Sequence, residues 1–123
     1  MTNPTIEVSL SSLDEGTVPS VTNTVDVNEG SDLDVCVEWP SSASNTITCS
    51  LNFSESGDQD PFNDEAGGSS TFSLTRATST DSATNTLAVK NDALLTTDTY
   101  DLTLTIDGVN YTSDPTIKVH RGT

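Results

Sequence analysis

The chain has very few basic residues. Only four Lys or Arg side chains accompany 19 Asp and Glu residues, so the 123-residue chain carries a formal net charge of −15 at pH 7. A surface this acidic repels nucleic acid phosphates and anionic lipid headgroups. We therefore expect no nucleic acid partner and no membrane insertion.

Histidine and cysteine are also scarce. One histidine and two cysteines are present, and two cysteines with no nearby histidine do not form a zinc signature. The sequence has no Gly-x-Ser-x-Gly turn and no second histidine to complete another nucleophilic arrangement. These absences predict that the protein is not an enzyme.

Long apolar runs and helical periodicity are missing as well. No stretch approaches the ~20 apolar residues that cross a bilayer, and no window repeats apolar residues at helical spacing. The first ten residues, MTNPTIEVSL, lack the basic start and apolar run of a secretory signal. Hydrophobic residues make up only 32% of the chain. A two-layer sandwich suits this composition, because only alternate residues of each strand need be apolar.

Two-residue alternation is the pattern that the chain does show. It is clearest at residues 100–106, YDLTLTI, where apolar and polar side chains alternate strictly. Such a period is typical of a strand with one buried and one exposed face. Asp107-Gly108 follows, and a tight hairpin turn prefers this pair because both residues must reach positive φ. The returning strand is predicted to carry Val109, Tyr111, Ile117 and Val119.

Similar patterns predict six to eight strands in total. The further strands are expected around Ile6–Leu10, Val21–Val27, Leu33–Trp39, Ile47–Phe53, Phe72–Leu74 and Leu87–Val89. Residues 54–70 are expected to form a long polar loop. Strands at intervals of about 8–12 residues, separated by turn residues, are typical of a sandwich. The length predicts a single domain over residues 1–123.

Two segments carry a resemblance to a known family. Asn28-Glu29-Gly30-Ser31 leading into LDVCVEW is similar to the approach to the second strand of immunoglobulin-like domains. TNTLAVKNDALLTTDTYDLTLTIDG resembles the late strands of bacterial and phage Ig-like (PKD-like) modules. The resemblance implies an all-β, immunoglobulin-like antiparallel β-sandwich of about seven to eight strands. It also implies a tyrosine corner at Tyr100, with Leu102 replacing the second core cysteine of the family.

The two cysteines leave two alternatives open. Cys36 and Cys49 lie on strands that we expect to be neighbours. Cys36 is in phase with the polar residues Asp34 and Glu38, whereas Cys49 is in phase with the apolar Leu51. Adjacent strands bring only side chains of the same face close enough for a disulfide, although a bulge in either strand would restore the phase. A disulfide and two free thiols are both compatible with the sequence.

The acidic segment at residues 55–65, ESGDQDPFNDE, is the best candidate for a metal site. Asp58, Asp60, Asp64 and Glu65 present the hard oxygen ligands that calcium requires. The alternate spacing of an EF-hand loop is interrupted, and its glycine is missing. A solvated acidic loop without metal is the competing interpretation, and calcium is the only cofactor that the sequence suggests.

These features favour a non-enzymatic structural or binding protein. One hypothesis is a phage virion accessory, a capsid decoration or cement protein that contacts the protein lattice of a capsid or tail. The alternative is an Ig-like module of a secreted bacterial adhesin or carbohydrate-binding surface protein, located outside the cell. In the first case, the contact edges are expected at Ile6–Leu10 and Ile117–Val119. A homo-oligomer is compatible with both hypotheses.

Overall fold

The computed structural model describes residues 4–22, 24–28, 30–53, 59–60, 65–66, 69–77, 81–89 and 97–120. All regular elements among these residues are β-strands, and no helix that could span a bilayer is found there. The strand segments are β1 (Thr5–Ser9), β2 (Ser20–Val21), β3 (Thr24–Asn28), β4 (Asp32–Glu38), β5 (Thr46–Asn52), β6 (Gln59–Asp60), β7 (Glu65–Ala66), β8 (Ser69–Thr75), β9 (Ser82–Ala88), β10 (Thr97–Thr99), β11 (Asp101–Ile106), β12 (Val109–Ser113) and β13 (Thr116–His120).

The long strands form the two layers of a β-sandwich. The first layer has the strand order β2-β1-β4-β9. The second contains the ladders β12-β11-β5-β8 and β10-β13-β3, and β6 and β7 form a separate two-stranded ladder. When β10–β11 and β12–β13 are each counted as one interrupted strand and the two-residue segments are set aside, eight strands remain. The predicted all-β sandwich of about seven to eight strands is confirmed.

The terminal hairpin forms as predicted at its turn. Asp107 and Gly108 have φ angles of 50° and 84°, the positive values that a two-residue hairpin loop requires. Ile106 and Val109 pair directly beside this turn. The aspartate tolerates a left-handed conformation better than most side chains, which explains why this pair fixes the register of β11 against β12.

The returning strand is broken, and here the prediction of one continuous strand was wrong. β12 ends at Ser113, and after two intervening residues β13 begins at Thr116. β13 pairs with β10 in the register that β12 has with β11. The break includes Pro115, which has no backbone N–H to donate to a ladder. The Tyr100 N–H still donates to the Pro115 carbonyl at 3.1 Å. After the break, β13 also pairs in parallel with β3.

Alternate residues of the long strands supply the core between the sheets. In β4 and in β11 every second side chain is buried. The eight side chains that the alternation places in the core are each at most 1% exposed: Leu33, Val35, Val37, Trp39, Tyr100, Leu102, Leu104 and Ile106. Burial of one such aliphatic side chain contributes about 1.5–3 kcal/mol. The predicted strand phases are therefore confirmed.

The first and last strands lie inside their sheets. β1 lies between β2 and β4, parallel to β4, and β13 lies between β10 and β3. The prediction that Ile6–Leu10 and Ile117–Val119 form contact edges was therefore wrong. The segment containing β2 and β3 covers one side of each strand, because β2 pairs with β1 and β3 pairs with β13.

The strand phase predicts opposite effects for the same substitution at two neighbouring positions. Leu104→Asp places a carboxylate at a position with 0% exposure, which costs several kcal/mol and should abolish cooperative thermal unfolding followed by circular dichroism. Thr103→Asp, on the outward side of the same strand, should keep a cooperative transition within about 1 kcal/mol of the parent. Equal effects of the two substitutions would contradict this placement of β11.

Candidate interaction surfaces

Part of one outward face of the sandwich is almost free of charge. We call it the hydroxyl face and define it by the outward side chains of β5, β8, β11 and β12. These are Thr46, Thr48, Ser50, Asn52, Thr71, Ser73, Thr75, Asp101, Thr103, Thr105, Asn110 and Thr112. Eleven of these twelve side chains are Ser, Thr or Asn, and the single carboxylate belongs to Asp101 at the start of β11.

The hydroxyl face is ordered by hydrogen bonds that cross from strand to strand. Thr105 Oγ1 donates to Asn110 Oδ1 at 2.8 Å. Three hydroxyl pairs are 3.0–3.1 Å apart: Thr46 with Thr75, Ser50 with Thr71, and Thr103 with Thr112. Neighbouring strands lie about 4.7–4.9 Å apart, so these side chains form regular rows across the sheet. The face is a preorganised array of neutral donors and acceptors.

The opposite outward face is acidic. We define the acidic face by Glu7 of β1 together with Asp32, Asp34 and Glu38 of β4, which all point away from the core. An open depression of about 620 Å³ lies on this side, and Glu7, Cys36 and Glu38 are among the residues that line it. Thr86 on β9 donates its hydroxyl to the Asp34 carboxylate at 2.6 Å. Clustered carboxylates favour water and cations here and disfavour anionic ligands.

Both cysteines are free thiols. One points outward from its strand and the other points into the core. Cys36 is half-buried on the acidic face, whereas Cys49 is buried in the core. The expectation that their strands are neighbours was wrong, because β4 pairs with β1 and β9 while β5 pairs with β8 and β11. The free-thiol alternative is therefore the one that the structure contains. Burial raises the pKa of the Cys49 thiol to about 12.

Arg76 is a buried cation that organises the loop between the two sheets. Its side chain is 3% exposed, and its guanidinium carbon lies 4.4 Å from the centroid of the Trp39 ring. The guanidinium donates to the carbonyls of Trp39, Pro40 and Ala43 at 2.6, 2.9 and 3.1 Å, and to Asn45 Oδ1 at 3.1 Å. Within the described part of the chain, the acceptors of this cation are thus neutral oxygens.

The same loop is also held by the hairpin turn. Ser44 Oγ donates to Asp107 Oδ1 at 2.5 Å, and the Ser44 N–H donates to Asp107 Oδ2 at 3.4 Å. Trp39 Nε1 donates to the Ser44 carbonyl at 2.9 Å. The β4–β5 loop is therefore fixed from two sides, and it positions β5 at the centre of the hydroxyl face.

The hydroxyl groups of Tyr100 and Tyr111 differ in their hydrogen bonding. The Tyr100 ring packs against Phe53 with centroids 5.2 Å apart, but its hydroxyl is buried and bonds to no described residue. The hydrogen bond expected for a tyrosine corner is thus not found among the described residues. Tyr111 instead donates its hydroxyl to the Leu13 carbonyl at 2.7 Å. Burial, and to a smaller extent the nearby Cys49, raises the pKa of Tyr100 above its usual range.

Two of the four predicted calcium ligands lie among the described residues. Asp58 and Asp64 lie outside the described residues, and Asp60 pairs with Glu65 in the β6–β7 ladder. Within the described part of the chain, no group of three or more His, Cys, Asp or Glu residues is placed to hold a metal ion. The calcium site at residues 55–65 therefore stays a prediction.

No protein-family model and no curated protein sequence matches this chain. The contrast between the hydroxyl face and the acidic face is then the feature that a functional proposal must explain.

Sequence reasoning missed the hydroxyl face, although a signal was present: residues 39–54, WPSSASNTITCSLNFS, contain no charged side chain. Arg76 was also missed, although it is in phase with the apolar Phe72 and Leu74 of β8.

The placement of the thiols predicts selective chemistry. At neutral pH one thiol of the native protein, Cys36, should react with a neutral maleimide, and the second should react only after unfolding. The reason is that Cys49 is both inaccessible and fully protonated under native conditions. Intact mass spectrometry measures the number of adducts, and Cys36→Ser should remove the native reaction. If both thiols of the native protein formed adducts at the same rate, the burial of Cys49 would be contradicted.

The raised pKa values of Cys49 and Tyr100 predict alkaline destabilisation. Both groups are held neutral in the folded protein, so their contribution to stability is complete below the pKa values of the unfolded chain. It is lost as the pH rises above about 9, where the unfolded thiol ionises first. Each group lowers the free energy of unfolding by up to about 1.4 kcal/mol per pH unit. Urea titrations from pH 8 to 11 should show a shallower decline for Cys49→Ala than for the parent.

The two tyrosines provide a matched pair of substitutions. Tyr111→Phe should lower the free energy of unfolding by about 1 kcal/mol, because it removes the hydrogen bond to Leu13. Tyr100→Phe should leave it unchanged or raise it, because it removes a buried hydroxyl without a described partner. Urea unfolding at pH 7 measures both. A Tyr100→Phe loss as large as that of Tyr111→Phe would show that the Tyr100 hydroxyl is satisfied in solution.

Proposed function

We propose that this chain is a non-enzymatic binding protein that attaches to a repeated protein lattice through its hydroxyl face. In this proposal the chain is a phage virion accessory, that is, a capsid decoration or cement protein. The observation that carries the proposal is an exposed face of twelve residues with one carboxylate, on a chain whose net charge is −15. The protein would therefore be located on the virion.

The free energy of desolvation favours the hydroxyl face as the docking surface. Charged side chains are depleted in the centres of protein interfaces, because burying an unpaired carboxylate costs several kcal/mol. Hydroxyl and amide groups can donate and accept hydrogen bonds, so a partner can satisfy them more readily. The cross-strand pairs of Ser50 with Thr71 and Thr103 with Thr112 also hold these side chains in place before binding, which reduces the entropy lost on association.

The acidic face has the opposite character and suits exposure to water. Its depression is open and is lined by Glu7 and Glu38 together with small polar residues and two valines. Catalytic sites more often occupy enclosed, mostly apolar pockets with a few convergent polar groups. This contrast supports a binding role without turnover. The carboxylates of this face would keep the outer surface of a decorated particle hydrated and mutually repulsive.

The immunoglobulin-like assignment belongs to the same proposal. β4 and β9 pair in one sheet, and in the other β5 pairs with β11, the first strand of the terminal hairpin. This division corresponds to the B–E and C–F–G sheets of Ig domains. A departure is the parallel pairing of β1 with β4. The fold class supports the assignment, and function has to be argued from the surfaces of this chain.

The alternative role is an Ig-like module of a secreted adhesin or carbohydrate-binding surface protein. The observation that favours it is the abundance of hydroxyl groups on the hydroxyl face, which can hydrogen-bond to sugar hydroxyls. The aromatic platform on which sugar rings commonly stack is missing, because all twelve residues of this face are non-aromatic. Binding to a neutral glycan in the absence of any particle would favour this alternative.

Association with purified phage particles tests the proposal. Thr48 lies in the middle of the hydroxyl face on β5, and Thr84 is exposed on β9 beside the acidic face. Thr48→Glu should weaken co-sedimentation with particles at least tenfold, about 1.4 kcal/mol, because the partner must bury the new carboxylate. Thr84→Glu should leave the affinity unchanged.

Two results would contradict the proposal. In one, Thr84→Glu weakens association as much as Thr48→Glu, so that the docking surface is not the hydroxyl face. In the other, mass spectrometry finds no such chain in particles from the source of the gene, so that the virion role fails.

A further inference from the structure

The two lateral edges of the sandwich are protected to different degrees. On one side the ladders end in β2, which has two residues and follows Pro19, in β3, which contains Asp26, and in β12, which has five residues and is followed by Asp114 and Pro115. On the other side they end in β8 and β9, which have seven residues each and no charged side chain. Short length, proline and charge are the usual means by which edge strands avoid pairing with another chain. β8 and β9 use none of the three.

β8 presents a row of available backbone groups. The Arg76 N–H donates to the Asn45 carbonyl at 2.9 Å, and hydrogen-bonded pairs alternate along an antiparallel ladder. The N–H and C=O groups of Phe72 and Leu74 therefore face β5, whereas those of Thr71 and Ser73 face away from it. Among the described residues, β5 is the only ladder partner of β8.

Charge distinguishes β8 from β9 as a site for pairing. β9 lies beside β4, so Asp32 and Asp34 of the acidic face are its neighbours, and Asp81 directly precedes it. Two copies that met through β9 would bring these carboxylates together. β8 lies beside the neutral outward side chains of β5, such as Thr46 and Ser50. Of the two seven-residue edges, β8 is therefore the one at which two chains of charge −15 can approach with less repulsion.

We infer that β8 pairs antiparallel with β8 of a second copy of this chain, which gives a two-fold symmetric dimer. A two-fold axis perpendicular to the sheet makes this contact self-complementary, and the outward side chains of both copies then point to the same side. The two hydroxyl faces become one continuous surface. Through such a surface a dimer could engage neighbouring units of a lattice with a combined affinity above that of one copy, although the dimer itself requires no lattice.

Analytical ultracentrifugation of the full chain, with two matched proline variants, tests the dimer. Ser73→Pro removes a backbone N–H that faces away from β5, so it should leave the fold intact and abolish the dimer. Thr84→Pro makes the equivalent change on β9. The Trp39 N–H donates to the Asp81 carbonyl, so by the same alternation the N–H of Thr84 faces away from β4. This substitution should leave the dimer unchanged. Ser73→Asp, which adds a like charge to each edge without altering the backbone, should weaken the dimer at least tenfold.

Salt provides an independent test of the physical basis. Since the two copies repel each other electrostatically, raising the salt from 0.1 to 1 M should tighten the dimer. A parent chain that stays monomeric at 1 M salt and high micromolar concentration would overturn the inference. So would a dimer that survives both Ser73 substitutions, or one that dissociates equally with Thr84→Pro. A dimer that weakens as salt rises would also overturn it, because ion pairs would then hold the contact.

Discussion

The exclusion of charge from the space between the two sheets is the constraint on which this structure depends. A chain with 19 acidic residues and 32% hydrophobic residues has a thin core, and an unpaired carboxylate in that core would cost several kcal/mol. The inward positions of β4, β5 and β11 are accordingly apolar without exception. Among the described residues the one buried ionic side chain is Arg76, and it is satisfied by oxygens of the loop that it organises.

A second segregation of charge follows on the outside of the sandwich. Outward positions impose no such penalty, and carboxylates could occupy both faces equally. Instead four of them lie on the face of β1 and β4, whereas the face of β5, β8, β11 and β12 carries hydroxyl and amide groups and the single carboxylate of Asp101. Folding does not require this asymmetry, because exposed carboxylates on either face would be equally solvated. A surface that becomes buried on association does require it, and this need connects the composition of β5 and β8 to the proposed role.

The sequence predicted what depends on local pattern and left open what depends on pairing between distant strands. The phase of Leu102 and Leu104 and the turn at Asp107-Gly108 follow from neighbouring residues. The neighbours of β1 and β13 do not, because the register between strands far apart in the chain is set by tertiary packing. The same reason explains why Cys36 and Cys49 were expected on adjacent strands.

Parts of the candidate surfaces were nevertheless visible in the sequence. The uncharged run at residues 39–54 marked the central strand of the hydroxyl face, and the phase of Arg76 with Leu74 marked a buried cation. What could not be predicted is that β8, β11 and β12 join β5 in one sheet, since this requires the fold. The hydroxyl face is assembled from four strands, and the sequence of any one strand does not show the low charge of the whole face.

In the proposed role, association buries the hydroxyl face and leaves the acidic face in water. Thiol accessibility tests it directly, because native Cys36 reports on the acidic face and Thr48→Cys places a second thiol in the middle of the hydroxyl face. Maleimide labelling rates of both thiols can be compared between the free chain and the chain bound to its particle. We expect the Thr48→Cys thiol to be protected on binding while Cys36 keeps its labelling rate. Protection of Cys36 with an unchanged rate at the Thr48→Cys thiol would contradict the proposed role.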